Sequence, residues 1–196
     1  MKAVSPDRWQ ASQRLELDFW KNWQAATPYQ NLDIPKYWLE ELARFGCTRD
    51  IFAGKRVLDI GCGPYGLIHY LDNARERVRI DPLLPQYESK MALTGPQLSL
   101  SALGEHLPLV SDSVDVAICF NALDHMCDPG AALAEIRRVL RPGGTLLLMI
   151  HTFPGWVRPF FWVDRLHPHH WTATGFRGTG RKCVPHRAHG DLAPEV

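Results

Sequence analysis

Val57-Leu58-Asp59-Ile60-Gly61-Cys62-Gly63-Pro64-Tyr65-Gly66 is the stretch on which the reading of this 196-residue chain turns. Val57 to Ile60 is a short aliphatic run that predicts a buried strand. The glycines after it let the backbone turn tightly and come close to a ligand, and Leu67 to Leu71 predicts the opening of a helix. Strand, glycine turn and helix in that order are the start of a crossover unit.

The pattern extends outward on both sides. Downstream, Arg77 to Ile80 predicts a second strand stopped by Asp81-Pro82, and Leu98 to Leu103 a weak third. Val114 to Phe120 predicts a strong fourth and Thr145 to Ile150 a fifth. Ala131 to Leu140 reads as an amphipathic helix closed by Pro142-Gly143-Gly144. Such alternation implies an α/β, Rossmann-like, doubly wound and mostly parallel sheet of about five strands with helices on both faces. Upstream, Trp9, Leu15, Leu17, Phe19, Trp20 and Trp23 fall at the spacing of one amphipathic helix within residues 7–25, and Lys36 to Phe45 predicts a second. The expected organisation is an N-terminal helical cap (1–50), an α/β core (51–152), an aromatic and His-rich lid (153–172) and a mobile tail (173–196).

Composition narrows the function. Lys and Arg number 22 against 21 Asp and Glu, so the net charge of +1 gives no general pull on nucleic acid or anionic membrane. The polar start, Met1 to Gln13, lacks the apolar core of a secretory signal, and Leu146 to Ile150 is far short of the roughly 20 apolar residues of a membrane span. The five cysteines are scattered without a CxxC pair, which suits reduced thiols in a cytoplasmic protein.

The glycine turn fits G-x-G-x-x-G, and Asp81 ends the next strand where a carboxylate accepts hydrogen bonds from a ribose. Asp59 discriminates between nucleotide ligands. A buried carboxylate beside the turn repels a pyrophosphate and welcomes an α-amino group, which favours S-adenosylmethionine over NAD.

VLDIGCGPYG, RIDP and GEHLPLVSDSVDVAICFNALDHMCDPGAALAEIRRVLRPGGTLLLMI, in this order, resemble the class I S-adenosylmethionine-dependent methyltransferases, nearest to the type-11 methyltransferase domain, over roughly residues 50–152. The resemblance implies that Asp59, Gly61, Cys62 and Gly63 hold the methionine end of the cofactor. It implies Asp81 on the ribose hydroxyls, Pro82 or Leu83 against the adenine, Gly104 and Glu105 at the adenine edge, and Asn121 under the methionine part. Tyr65 stands where the tight GxGxG form has its third glycine, and Leu103 where an acidic residue often meets the adenine amino group. Relatives carry two further strands after the fifth. Residues 173–196 show no strand pattern, so the resemblance implies a shortened fold whose fifth strand is an open edge. Dimerisation through that edge or through the aromatic segment is a corollary.

Methyl transfer is an in-line displacement in which the protein chiefly positions the acceptor and excludes water. His125 and Asp124, just past the fourth strand, stand where a general base is expected. No metal site is expected, because His151, His167, His169 and His170 lack the usual helix or CxxC ligand context. The aromatics Trp156, Phe160, Phe161 and Trp162, with Trp20, Trp23 and Trp38, suit packing or an apolar acceptor pocket. The leading function is thus methyl transfer to a small-molecule acceptor, with no nucleic-acid partner. The alternative is a non-catalytic cofactor-binding or interaction remnant of that family, and an NAD-dependent oxidoreductase is weaker still.

Overall fold

A computed structural model describes residues 3–23, 32–88, 98–172 and 181–185. Two helices, α1 (Pro6–Trp23) and α2 (Ile34–Arg44), precede the sheet. Asp33 caps α2 by accepting the Lys36 N–H, with Pro35 in the first turn where its missing N–H costs nothing. Strands β1 (Arg56–Ile60), β2 (Glu76–Ile80), β3 (Leu98–Leu100), β4 (Val114–Phe120) and β5 (Leu140–Met149) are parallel neighbours in the order β3-β2-β1-β4-β5. A five-residue helix, α3 (Leu84–Glu88), follows β2, and α4 (Pro129–Val139) links β4 to β5. The chain fills one side of β1 and then the other. The order therefore reverses between β1 and β4, which opens a crevice beyond their carboxyl ends.

Side chains alternate across the pleat and build two cores. Leu58, Ile60, Val78, Ile80, Ala117 and Cys119 face α4, meeting its buried Ala132, Ile136 and Val139. Val57, Val116, Ile118, Phe120, Leu147 and Met149 face the other way, onto Leu42 of α2, Phe52 and the Leu67–Leu71 segment. This is the doubly covered parallel sheet that the alternation of elements predicts.

Three expectations are corrected. The helix after the glycine turn is a single 3-10 turn, Leu67–Tyr70, followed by turns that lead into β2 at Glu76. Pro142-Gly143-Gly144 does not cap α4. That helix ends at Val139, β5 starts at Leu140, and the three residues form an excursion where the β4–β5 register slips between Val114 and Val116.

The third correction concerns the fifth strand, which is not an edge. β8 (Arg181–Pro185) pairs antiparallel with it, Leu147 opposite Cys183, and closes the edge through which dimerisation was expected. Arg-Lys-Cys-Val-Pro lacks the alternation that announces a strand. Its strand state comes from the row of unpaired N–H and C=O groups that β5 presents, which local propensity does not register. The remaining residues of the expected mobile tail, 173–180 and 186–196, lie outside the described residues. Two short strands, β6 (Thr152–Phe153) and β7 (Trp171–Thr172), pair in parallel and bracket a 3-10 helix, Gly155–Val163, that carries the aromatic segment.

Candidate functional site

A cavity of about 540 Å³ lies beyond the carboxyl ends of β1, β2 and β4, within the range of small-molecule sites. Every residue that the sequence assigns to a cofactor lines it: Asp59, Gly61, Cys62 and Gly63 from the turn after β1, Asp81, Pro82 and Leu83 after β2, Gly104 and Glu105 after β3, and Asn121 after β4. The topology explains the convergence, since each group follows the carboxyl end of a strand and these ends surround the switch point.

The turn is held by backbone geometry that other residues resist. Gly61 has φ +66°, and a Cβ there would stand 2.3 Å from the Cβ of Ala122. Asn121 is also left-handed at φ 51°, a conformation that asparagine tolerates better than most residues. Its N–H donates to Met149 O at 2.8 Å, tying the end of β4 to β5.

Asp59 is 3% exposed, and its Oδ2 accepts the Ile68 N–H at 3.3 Å. Burial pushes its carboxyl up to about 7, against the lowering effect of that hydrogen bond and with a further upward push from nearby Asp81. Asp81 accepts the Leu83 N–H at 2.8 Å and the Gly63 N–H at 3.0 Å, which locks the glycine turn to the end of β2. Burial raises it to about 6, the two amides lower it, Glu16 on α1 raises it and Arg79 on β2 lowers it. Two buried carboxylates thus meet on one wall, short of positive charge. That is the arrangement a cationic, hydroxyl-bearing ligand completes.

The roof comes from α1 and α2. Trp20 lies 3.3 Å from where a Cβ on Gly63 would stand, so the glycine admits the helix as well as a ligand. Trp23 stacks on Tyr65 at 5.0 Å between ring centres, and Trp38 on Phe120 at 5.7 Å. Trp38 Nε1 donates to Tyr65 O at 2.8 Å. Of the aromatics considered from sequence, Trp20, Trp23 and Trp38 line the cavity. Trp156 and Trp162 are instead 75% and 79% exposed, and Phe161 stacks on His170 at 4.5 Å. The Phe160 side chain lies outside the described residues.

Sequence reasoning missed what fastens this roof. Arg8 donates to three carbonyls of the segment after β5: Arg165 O at 2.6 Å, His167 O at 3.0 Å and Asp164 O at 3.2 Å. Trp9 Nε1 donates to His125 O at 3.1 Å. Glu16 reaches His125 as well, Oε2 to Nδ1 at 3.3 Å. Nothing local to Arg8 or Glu16 announces partners more than a hundred residues away.

The two candidate bases part company. His125 lines the cavity. Asp124 does not line it; at 1% exposed it is buried, with His167 Nε2 at 3.9 Å from its Oδ2. This corrects the expectation that Asp124 serves as a base facing an acceptor. Glu105 reaches the cavity wall, but its Oε1 is occupied by the N–H groups of Cys127 at 2.7 Å and Asp128 at 3.0 Å, so it also anchors the loop that enters α4.

Residues 58–148 match the family described as methyltransferase domain. An uncharacterized methyltransferase of Mycobacterium bovis is 36% identical over 110 residues, covering 54% of this chain and 45% of that protein. A malonyl-(acyl-carrier protein) O-methyltransferase of Hahella chejuensis is 33% identical over 114 residues, covering 56% of this chain and 39% of its own length. The chain therefore spans less than half the length of these curated relatives. A solved S-adenosylmethionine-dependent methyltransferase structure from Thermotoga maritima, described as a possible histamine N-methyltransferase, has the same fold: TM-score 0.60, 18% identity, covering 86% of this chain and 76% of that one. No helix among the described residues is long and apolar enough to cross a membrane.

Proposed function

With residues 58–148 a class I S-adenosylmethionine-dependent methyltransferase domain, we propose that the cavity binds S-adenosylmethionine and passes its methyl group to a small molecule with an apolar body. The observation that carries this reading is the pair of buried, upshifted carboxylates, Asp59 and Asp81, on the wall of one cavity roofed by tryptophans. The cofactor supplies the activated methyl. Asp59 takes the α-ammonium group and Asp81 the ribose hydroxyls, while Pro82, Leu83 and Leu103 give the adenine an apolar bed.

Trp20, Trp23 and Trp38 exclude water and give the acceptor an apolar wall. His125 removes the acceptor proton. Its Nδ1 lies 3.3 Å from Glu16 Oε2, a carboxylate that stabilises the imidazolium formed when the ring takes the proton. Incubation with methyl-labelled S-adenosylmethionine and a panel of apolar alcohols, phenols and amines is expected to release S-adenosylhomocysteine with some members. Bound cofactor with no turnover on any of them would favour the non-catalytic reading. With a productive acceptor, His125→Gln is expected to lower kcat roughly a hundredfold and leave the cofactor Kd unchanged. An unaltered kcat would remove His125 from the proton path.

The carboxylates set a pH dependence. In the protein alone, both carboxyls hold their protons to higher pH than in the unfolded chain. Their contribution to stability is present below pH about 4 and is lost as pH rises through about 6 for Asp81 and about 7 for Asp59. Cofactor binding runs the opposite way, because the α-ammonium requires Asp59 ionised. Facing Asp59 are Asp81, Cys62 and Cys119, and facing Asp81 are Glu16, Arg79, Cys62 and Tyr87; the proton that Asp59 gives up leaves to solvent. Calorimetry is expected to show affinity roughly tenfold weaker at pH 6 than at pH 8, with proton release on binding. A flat profile would mean that Asp59 is already ionised and otherwise compensated.

A further inference from the structure

We propose that Asp124, His151 and His167 form a binding site for a divalent transition-metal cation of the Zn²⁺ class. The three come from separate segments beyond the carboxyl ends of β4 and β5: Asp124 follows β4, His151 follows β5, and His167 lies after the aromatic segment. One carboxylate oxygen and one ring nitrogen from each histidine lie within 4.8 Å of one another. Two imidazoles and a carboxylate are the donor set of open zinc and facial-triad sites, which keep coordination positions for water or substrate.

Two further observations point to a cation. Asp124 is 1% exposed, and neither oxygen of its carboxylate has a hydrogen-bond partner among the described residues. An ionised group so buried is costly unless a positive charge completes it. His167, the neighbour of that carboxylate, is oriented from behind, with its Nδ1 2.7 Å from Asp164 Oδ2. With Nδ1–H donated to Asp164, the Nε2 lone pair faces Asp124 at 3.9 Å. A carboxylate that orients a histidine whose other nitrogen is free is the usual outer support of a metal-ligating imidazole. Asp164 is itself held, and its Oδ1 accepts the N–H groups of Leu166 at 3.0 Å and His167 at 3.2 Å.

The donor set excludes other cations. Mg²⁺ and Ca²⁺ prefer all-oxygen shells, whereas two imidazoles select a borderline metal. His151 and His167 both line the cavity, so the open positions give onto the space beyond the cofactor residues. An acceptor hydroxyl that occupied one would lose its proton to solvent more readily, through the cation acting as a Lewis acid. The site uses none of the cofactor-binding residues, so it stands or falls separately from the methyl-transfer reading.

The test is calorimetric titration of the chelator-stripped full chain with ZnCl₂, followed by Co²⁺ loading and its visible absorption. Expected is one tight equivalent per chain and the d–d bands of an imidazole-ligated, low-coordinate cobalt. His151 is exposed, so His151→Ala leaves the fold intact by circular dichroism and is expected to weaken binding at least a hundredfold. Asp164→Asn, which removes the carboxylate behind His167 and alters its contact with His170 Nε2, is expected to weaken it 10- to 100-fold. Absence of stoichiometric binding would overturn the proposal and leave Asp124 and His167 as a plain ion pair. Tight binding that survives His151→Ala would overturn it too, by moving the metal elsewhere. So would a preference for Mg²⁺ over Zn²⁺.

Discussion

Replacing Asp59 with alanine is expected to abolish S-adenosylmethionine binding, weakening it by a hundredfold or more, while the protein stays folded. Losing one partner of a buried, hydrogen-bonded charge pair costs about 3–5 kcal/mol, because the other charge is left without compensation in a dry site. Here the stranded charge would be the ligand's ammonium, against a wall whose remaining carboxylate, Asp81, is engaged by the Gly63 and Leu83 amides. Stability moves the other way. Asp59 is a buried carboxyl pushed up to about 7, so its ionised form burdens the fold above that pH, and alanine removes the burden. Calorimetry and a thermal melt at pH 8 separate the two effects. Undiminished affinity would show that the methionine end does not lie on Asp59.

The second large effect is on the fold itself. Gly61→Ala is expected to destabilise the protein by about 3 kcal/mol, lowering Tm by roughly 6–12 °C for a chain of this size. Alanine at φ +66° carries a left-handed penalty of about 1–2 kcal/mol. Its Cβ would also stand 2.3 Å from the Cβ of Ala122, which forces the ends of β1 and β4 apart at a cost typical of overpacking, roughly 1–3 kcal/mol. The two parts separate by experiment. Adding Ala122→Gly to Gly61→Ala removes the clashing atom and is expected to restore part of the Tm, leaving the backbone penalty. A Gly61→Ala protein melting within about 2 °C of the parent would mean that the turn is looser than its geometry indicates.

Legibility in the sequence followed the range of the interactions involved. β1 and β4 are short runs dominated by buried apolar side chains, and such runs announce themselves without reference to the rest of the chain. That Asp59, the glycine turn and Asp81 share one cavity wall was legible for a related reason. They follow strand ends, and strand ends are local. β8 was illegible because Arg181–Pro185 becomes a strand only when β5 offers it a row of backbone partners. The helix expected at Leu67–Leu71 is a 3-10 turn because a short apolar run does not distinguish such a turn from the start of an α-helix.

The lid and its fastenings belong to the long-range class. Arg8 shows nothing in its neighbourhood of the three carbonyls it binds, and Glu16 nothing of His125. Of the histidines that the sequence groups together, His151 and His167 converge, and they do so with Asp124. His169 turns to the Cys127 carbonyl, and His170 stacks on Phe161.

The most direct measurement is calorimetric titration of the purified protein with S-adenosylmethionine at pH 8, with NAD as the control. The expected result is saturable binding of one S-adenosylmethionine per chain and no heat from NAD. A folded protein that binds NAD, or neither ligand, would contradict the assignment of the cavity to S-adenosylmethionine.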